Sequence, residues 1–232
     1  MQFAMLVGGR GSRLGALAAD TPKPLLPVGG RPFLDLLIER AVGAGFGPIL
    51  LLAGHLGGRV AERWHGREVA GVPVEVVVES APLGTGGALA AAADRLEPVF
   101  ALANGDSLFG FDLGQLTAFE PAGPWLGKLA LRRLEDCGRS GVVDLDGDRV
   151  TAFRERGEAG RPGVVNGGVY VLRREILDAM GPPPRSLEAD VFPALAGRGL
   201  LAGRVFDGFF IDIGVPDDYA RAQTLVPAFL RG

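Results

Sequence analysis

Met5-Leu6-Val7-Gly8-Gly9-Arg10-Gly11-Ser12-Arg13-Leu14, followed after a short spacer by Thr21-Pro22-Lys23-Pro24, is the stretch from which the rest of the chain can be read. The apolar run from Phe3 to Val7 predicts a buried first strand that stops at Gly8-Gly9. Glycines at 8, 9 and 11 let the backbone turn with positive φ and come close to a ligand. Successive N–H groups in such a turn make an anion-binding concavity, and Arg13 adds a fork of donors suited to phosphate oxygens. Lys23 stands between two prolines that fix its backbone, which suits a point charge held in one place. The expectation is a nucleoside triphosphate loop followed by a lysine for a second phosphate. No Gly-Lys-Ser/Thr follows the glycines, so this is not a Walker A loop, and Leu14 stands where a dinucleotide fingerprint needs its third glycine. Either half taken alone reads equally well as a solvated surface turn.

With 232 residues, 47% of them hydrophobic, the chain can bury the core of one α/β domain. A net charge of −3 and the lack of a long Lys/Arg run argue against a nucleic-acid surface. No apolar stretch approaches the roughly 18 residues of a membrane span. Met1 leads into the first strand without a basic segment, so no signal peptide is expected. Cys137 is the lone cysteine, which excludes an internal disulfide and fits a cytoplasmic location. Its polar loop, with no histidine nearby in sequence, favours an inert thiol over a nucleophile.

Beyond the loop, Pro32 can open a helix carrying Phe33, Leu36, Leu37, Ala41 and Ala44 at helical spacing, stopped by Gly45 and Gly47. The continuous apolar run Ile49–Ala53 has the character of a parallel strand buried on both faces. A helix over 56–64 and a strand over 74–79 continue the alternation, which predicts an open, largely parallel sheet with helices on both sides. His55 and His65 flank that helix without partners at ligand spacing, so no metal role is expected of them.

Glu79 ends the third strand, and Leu83-Gly84-Thr85-Gly86-Gly87-Ala88 leads into an Ala-rich helix. In open α/β sheets ligands bind beyond the carboxyl ends of strands, so two glycine loops there can face one another. Close helix–strand packing would explain the same glycines. Glu79, an ionised carboxylate at a strand end, could accept from N–H groups of a ligand. The buried run Val99–Ala103 ends in Asn104-Gly105-Asp106-Ser107. Alone, that tripeptide reads as an Asx-turn; after two phosphate-type loops, Asp106 is well placed to hold a hard cation. A helix over 113–119 and a strand over 126–131 precede a hairpin, 142–145 with 150–153, turned by Asp146-Gly147-Asp148. Glu155 and Arg156 follow it. Asn166-Gly167-Gly168 interrupts a strand, as glycines do where a ligand approaches. Ser186 can cap the next helix, with Glu188 in its first turn. Asp212 sits in the apolar run Phe209–Ile213, where an unpaired carboxylate is costly and needs a partner; a divalent cation shared with Asp106 would serve. Pro216 then opens a last helix.

Taken in order, Leu6-Val7-Gly8-Gly9-x-Gly11-Ser12-Arg13-Leu14 with Pro22-Lys23-Pro24, Leu83–Ala88, Asn104-Gly105-Asp106, Asn166-Gly167-Gly168-Val169-Tyr170 and Asp212-x-Gly214 resemble the motifs of sugar-1-phosphate nucleotidyltransferases over essentially the whole chain. The short spacer before Thr21 and the Ser186-x-Glu188-x-Asp190 segment are most similar to the D-glycero-α-D-manno-heptose 1-phosphate guanylyltransferase branch. Val7, Arg156, Ser140 and Val215 stand where the family more often has Ala, Lys, an aromatic residue and Thr.

The resemblance implies a three-layer α/β/α Rossmann-like fold in a single domain, residues 1–110 mainly for the nucleotide and 111–232 mainly for the sugar phosphate. It implies transfer of a nucleotidyl group from an NTP, GTP in that branch, to a sugar 1-phosphate, with Mg²⁺ and with no nucleic-acid or membrane partner. By the resemblance Arg13, Lys23, Asp106 and Asp212 would be the catalytic residues, the two aspartates holding the metal. Leu6, Gly8, Gly9, Gly11, Ser12, Glu79, Gly84 and Thr85 would frame the nucleotide. Asn104, Glu155, Arg156, Asn166, Gly167 and Glu188 would hold the sugar phosphate. A uridylyl- or thymidylyltransferase acting on N-acetylmuramate or glucose 1-phosphate would share nearly every motif. A non-catalytic nucleotide-sugar-binding domain would share the fold.

Overall fold

Short apolar runs between glycine turns become strands, and the amphipathic stretches between them become helices. The computed structural model describes residues 1–138, 141–154, 157–182 and 185–231. In chain order the elements are β1 (Phe3–Leu6), β2 (Pro27–Val28), β3 (Arg31–Pro32), α1 (Phe33–Gly43), β4 (Ile49–Ala53), α2 (Gly57–Trp64), β5 (Arg67–Val69) and β6 (Val72–Val78). There follow α3 (Gly84–Ala91), β7 (Val99–Asn104), β8 (Ser107–Gly110), α4 (Leu113–Ala118), β9 (Gly127–Leu134), β10 (Val142–Asp146), β11 (Arg149–Arg154) and β12 (Gly163–Arg173). The last are α5 (Phe192–Gly197), β13 (Leu201–Val205), β14 (Phe209–Asp212) and α6 (Pro216–Arg231). No helix among the described residues is long and apolar enough to cross a membrane.

These elements form two compact units. The first comprises Met1–Pro82, Ala103–Gly110 and Phe209–Gly232. Here β4 lies between β1 and β6 and runs parallel to both, Phe3 opposite Ile49 and Ile49 opposite Val74. All five β4 residues are buried, as a strand covered on both faces requires. Short β5 closes the edge antiparallel to β6. α2 packs on β4 and β6. The Asp35 carboxylate of α1 is gripped by the Arg63 guanidinium through Nε (3.0 Å) and Nη2, and that hydrogen bonding raises the Arg63 pKa. α6 clamps the β2–β3 hairpin: Tyr219 Oη (2.8 Å) and Gln223 Nε2 (2.9 Å) both donate to the Pro27 carbonyl.

The second unit comprises Leu83–Leu102 and Phe111–Gly208. Its strands run in the order β10-β11-β13-β9-β12-β7. The mostly parallel pairing that the sequence predicts is therefore a property of the first unit. In the second, β9 is parallel to β13, while β9/β12, β10/β11 and β11/β13 are antiparallel. The reason is local. The Asp146-Gly147-Asp148 turn, with Gly147 at φ +62°, folds β11 straight back on β10 and leaves no room for a crossover helix. Tyr170, Phe100, Phe192 and Leu129–Leu131 fill this core, each large side chain contributing roughly 1.5–3 kcal/mol.

Two polar groups in this unit are structural. Cys137 is buried, its Sγ 3.1 Å from the Arg161 carbonyl, where a side chain on Gly157 or Gly163 would collide with it. Lys128 of β9 is also buried and donates to the Thr117 (2.9 Å) and Phe119 (2.7 Å) carbonyls at the end of α4. Burial lowers its pKa, with Glu120 acting in the opposite direction.

Candidate active site

In the first unit the carboxyl ends of three parallel strands converge. β1 runs into Gly8, β4 into Gly54 and β6 into Glu79. Val7 N–H donates to Leu52 O (2.9 Å), His55 N–H to Gly8 O (3.1 Å) and Glu79 N–H to Ala53 O (2.8 Å), so the loops are held as an extension of the sheet. A Cβ on Gly8 would stand 2.7 Å from the Gly54 nitrogen, and one on Gly54 would stand 3.2 Å from Glu79 Oε2. Gly8 is therefore required by the close crossing of two loops. Of the three glycines read as a turn, Gly11 has positive φ (+62°); Gly8 and Gly9 do not. Gly9 borders open space. Ser12 and Arg13 are exposed, and the loop is fastened from behind by buried Leu14 and Ala18 packing on Leu26 and Tyr219.

Lys23 is 5% exposed, and its ammonium reaches two carboxylates: Asp106 Oδ2 at 2.6 Å and Asp212 Oδ1 at 3.4 Å. What joins residues 106 and 212 is the antiparallel ribbon of β8 and β14, in which Asp212 lies opposite Ser107. Ile213 N–H donates to the Asp106 carbonyl (2.9 Å), closing the ribbon. Asp106 is set beside β1 because Gly105 N–H donates to Leu6 O (2.9 Å), an approach only a bare Cα allows: a Cβ there would be 2.6 Å from Val7 Cγ1. Gly214 plays the same part for Asp212. Its N–H donates to Asp212 Oδ1 (2.6 Å), and a Cβ on it would stand 2.7 Å from Lys23 Nζ. Both aspartates remain partly open to solvent, at 38% and 44% of their side-chain surface. A buried cation between two accessible carboxylates can compensate charge on both sides of a reacting phosphate.

The second unit holds a different constellation. The Gly167-Gly168 pair makes a bulge in β12, with Gly168 at φ +72°, and its N–H donates to Asn166 Oδ1 (3.0 Å). Asn166 Nδ2 then donates to Tyr170 Oη (2.7 Å) and Glu188 Oε1 (3.4 Å), and Tyr170 Oη donates to Glu188 Oε1 (3.0 Å). Ser186 Oγ accepts from Ala189 N–H (3.1 Å) while Asp190 Oδ2 accepts from Ser186 N–H (2.8 Å), a reciprocal cap on the π-type turn Leu187–Val191. Gly84 and Thr85, read as nucleotide contacts, lie in this unit against Arg185 and Leu187.

Leu6, Gly8, Gly9, Gly11, Ser12, Arg13, Lys23, Glu79, Asn104, Asp106 and Asp212 thus belong to the first unit. Gly84, Thr85, Asn166, Gly167 and Glu188 belong to the second. Glu155, Arg156 and Ser140 lie outside the described residues, as do Pro183 and Pro184 of the proline run. Sequence reasoning did not single out Gly54, and it quoted Gly214 and Tyr170 as members of motifs with no role of their own. Gly214 could have been found as the first residue able to turn back on Asp212; Tyr170 has the pattern of a core aromatic, and only the bulge aims its hydroxyl at Asn166. His65 Nδ1 accepts from Val76 N–H (3.2 Å) and serves the strand edge.

The glycine loop at the end of β1, with buried Lys23 and the aspartate pair beside it, stands at the carboxyl end of a parallel β-sheet, where open α/β folds bind their ligands. The chain belongs to the family described as Nucleotidyl transferase, which matches residues 4–228. It is 37% identical to mannose-1-phosphate guanylyltransferase of Mycobacterium tuberculosis, covering 94% of this chain and 62% of that protein. It is 32% identical to D-glycero-alpha-D-manno-heptose 1-phosphate guanylyltransferase of Aneurinibacillus thermoaerophilus, over 96% of this chain and 97% of that one. Among solved structures, HddC from Yersinia pseudotuberculosis complexed with GMP-PN superposes with a TM-score of 0.82 at 29% identity, over 96% of this chain and 97% of that chain.

Proposed function

We propose that this chain is a sugar-1-phosphate guanylyltransferase that converts GTP and a manno-configured sugar 1-phosphate, D-glycero-α-D-manno-heptose 1-phosphate first among them, into the GDP-sugar and pyrophosphate. The observation that carries the reading is Lys23 Nζ between Asp106 and Asp212, behind a glycine loop that presents Arg13 to solvent. In this reaction a sugar-phosphate oxygen attacks the α-phosphorus and the bond to the β-phosphate oxygen breaks, its electron pair leaving with pyrophosphate. No covalent help from the protein is needed, so positioning and charge compensation carry the catalysis.

The loop amides of Gly8–Ser12 and the Arg13 fork bind the triphosphate. Lys23 compensates charge on the reacting phosphates. Glu79 reads the base edge. Asn166, Glu188 and, by resemblance, Glu155 hold sugar hydroxyls, with Arg156 near the sugar phosphate. Asp106 and Asp212 would hold Mg²⁺: both already aim oxygens at one cation while keeping open surface, and hard carboxylate oxygens suit that ion. When bound, the ion would neutralise phosphate charge. The buried single thiol fits a cytoplasmic setting.

The test is pyrophosphate release by purified protein with Mg²⁺, scanning GTP, UTP, dTTP, CTP and ATP against heptose, mannose, glucose and N-acetylmuramate 1-phosphates. Release with GTP and a manno-configured phosphate supports the reading. Release with UTP or dTTP in its place keeps the chemistry and sinks the guanylyl assignment. Binding of a nucleotide sugar with no turnover in any combination would make the chain a binding domain.

A further inference from the structure

We propose that the Thr85 hydroxyl is a positioning group for the sugar-recognition carboxylate Glu188, so that its loss weakens sugar phosphate and not nucleotide. Its loop runs against the segment 185–187 as a small ladder. Arg185 N–H donates to Leu83 O (3.0 Å), Gly86 N–H donates to Arg185 O (2.8 Å), and Leu187 N–H donates to Thr85 Oγ1 (2.8 Å). The backbone of Gly84, at φ +74°, lies so close to the Arg185 carbonyl that any side chain there would collide with it. Gly84 and Gly86 therefore serve a backbone contact.

The contact ends one residue before Glu188. Leu187 is 1% exposed and begins the π-type turn, whose first N–H groups have no partner within the turn. Ser186 Oγ caps Ala189 from within, and Thr85 Oγ1 caps Leu187 from another part of the chain. A buried N–H left without an acceptor is costly, so removing the hydroxyl favours any shift that brings Leu187 N–H to water. Such a shift carries Glu188 away from Tyr170 Oη and Asn166 Nδ2, which sit 3.0 and 3.4 Å from its Oε1. Thr85 acts here through Glu188 and touches neither reacting phosphate.

This inference rests on the proposed sugar role of Asn166 and Glu188. Its test compares Thr85→Val, which keeps the shape and loses the acceptor, with Thr85→Ser, which keeps the acceptor. Two measurements are made on each: amide hydrogen exchange at Leu187, and steady-state kinetics with each substrate varied. The expected result for Thr85→Val is Leu187 exchange faster by about tenfold and a sugar-phosphate KM raised by about tenfold, the equivalent of one net hydrogen bond. The GTP KM should stay within about twofold, and Thr85→Ser should restore both values. A raised GTP KM with an unchanged sugar KM places the hydroxyl on the nucleotide and overturns the inference. Unchanged Leu187 exchange in Thr85→Val, with an active wild type, also overturns it and leaves the proposed function standing. A wild type inactive on every sugar phosphate sinks the function and the sugar role of Thr85 together.

Discussion

Lys23 and Lys128 are both nearly lost to solvent, at 5% and 2% exposure, yet they solve the cost of burial with opposite partners. Lys23, in the first unit, meets two carboxylates that are themselves partly open. Lys128, in the second, meets two backbone carbonyls at the end of α4 and lies 4.7 Å from the centre of the Trp125 ring, with Glu120 at 3.6 Å. Carbonyls of a helix end cannot be given up without leaving acceptors orphaned, so Lys128 is fixed for the life of the fold. Carboxylates that face water can exchange one cation for another. Burial of an ionisable group therefore does not by itself mark a site; what sets Lys23 apart from Lys128 is that its partners are open to water.

The sharpest way to break this comparison is Asp106→Asn. It keeps the ribbon and the size of the side chain but removes the charge nearest Lys23. Turnover in the pyrophosphate assay should fall by at least about 10³-fold, the scale of losing a preorganised charged group, while the thermal midpoint changes little because the carboxylate is partly solvated. Near wild-type activity would remove Asp106 from the chemistry.

A smaller effect is expected from Gly214→Ala, which leaves every charge in place. The added Cβ would stand 2.7 Å from Lys23 Nζ and 2.8 Å from Asp212 Oδ1, so one of them must move by a fraction of an ångström. Misplacement on that scale should lower kcat by about 10- to 100-fold with far-UV circular dichroism unchanged. Wild-type kcat would show that the lysine–aspartate geometry tolerates slack.

How far the sequence led follows from which links are local. β1, β4, α2 and the 142–153 hairpin are each written in a run of consecutive residues and form within two residues of the predicted limits, and α6 opens at Pro216 as expected. Gly8, Lys23, Asp106 and Asp212 were singled out on local grounds too, the first three by turn or proline context and Asp212 as a carboxylate in an apolar run, and the structure brings Lys23 to both aspartates. The ribbon that joins Asp106 to Asp212 was not. β8 and β14 are four residues each and pair across about a hundred positions, which no periodicity records. Thr85 was legible as a residue, but the partner of its hydroxyl was not, because that oxygen accepts from Leu187, about a hundred residues away. Lys128 carried no signal at all. In the strand 127–134 a lysine reads as an ordinary outward position, and only the end of α4 and Trp125 bury it.

Lys128→Met tests the other side of the comparison, with the smallest effect on activity. Methionine fills the stem's volume and removes both the charge and its donors. Turnover should stay within about twofold, since no reacting group is touched. Stability follows from two opposed terms: the Thr117 and Phe119 carbonyls lose donors, at about 1–3 kcal/mol, and a desolvated charge is relieved. The sign of the pH dependence separates them. Burial holds the Lys128 pKa below its ordinary 10.5, so between the lowered folded value and 10.5 the unfolded chain binds more protons than the folded one. Wild-type stability gains a contribution that grows as pH rises through that window, and Lys128→Met abolishes it. Urea unfolding followed from pH 7 to 10 should then show the difference between the two proteins shifting in favour of wild type as pH rises. A difference that is flat with pH would mean that the buried ammonium is as well satisfied by the helix end and Trp125 as by water, and the contrast with Lys23 would lie in accessibility alone.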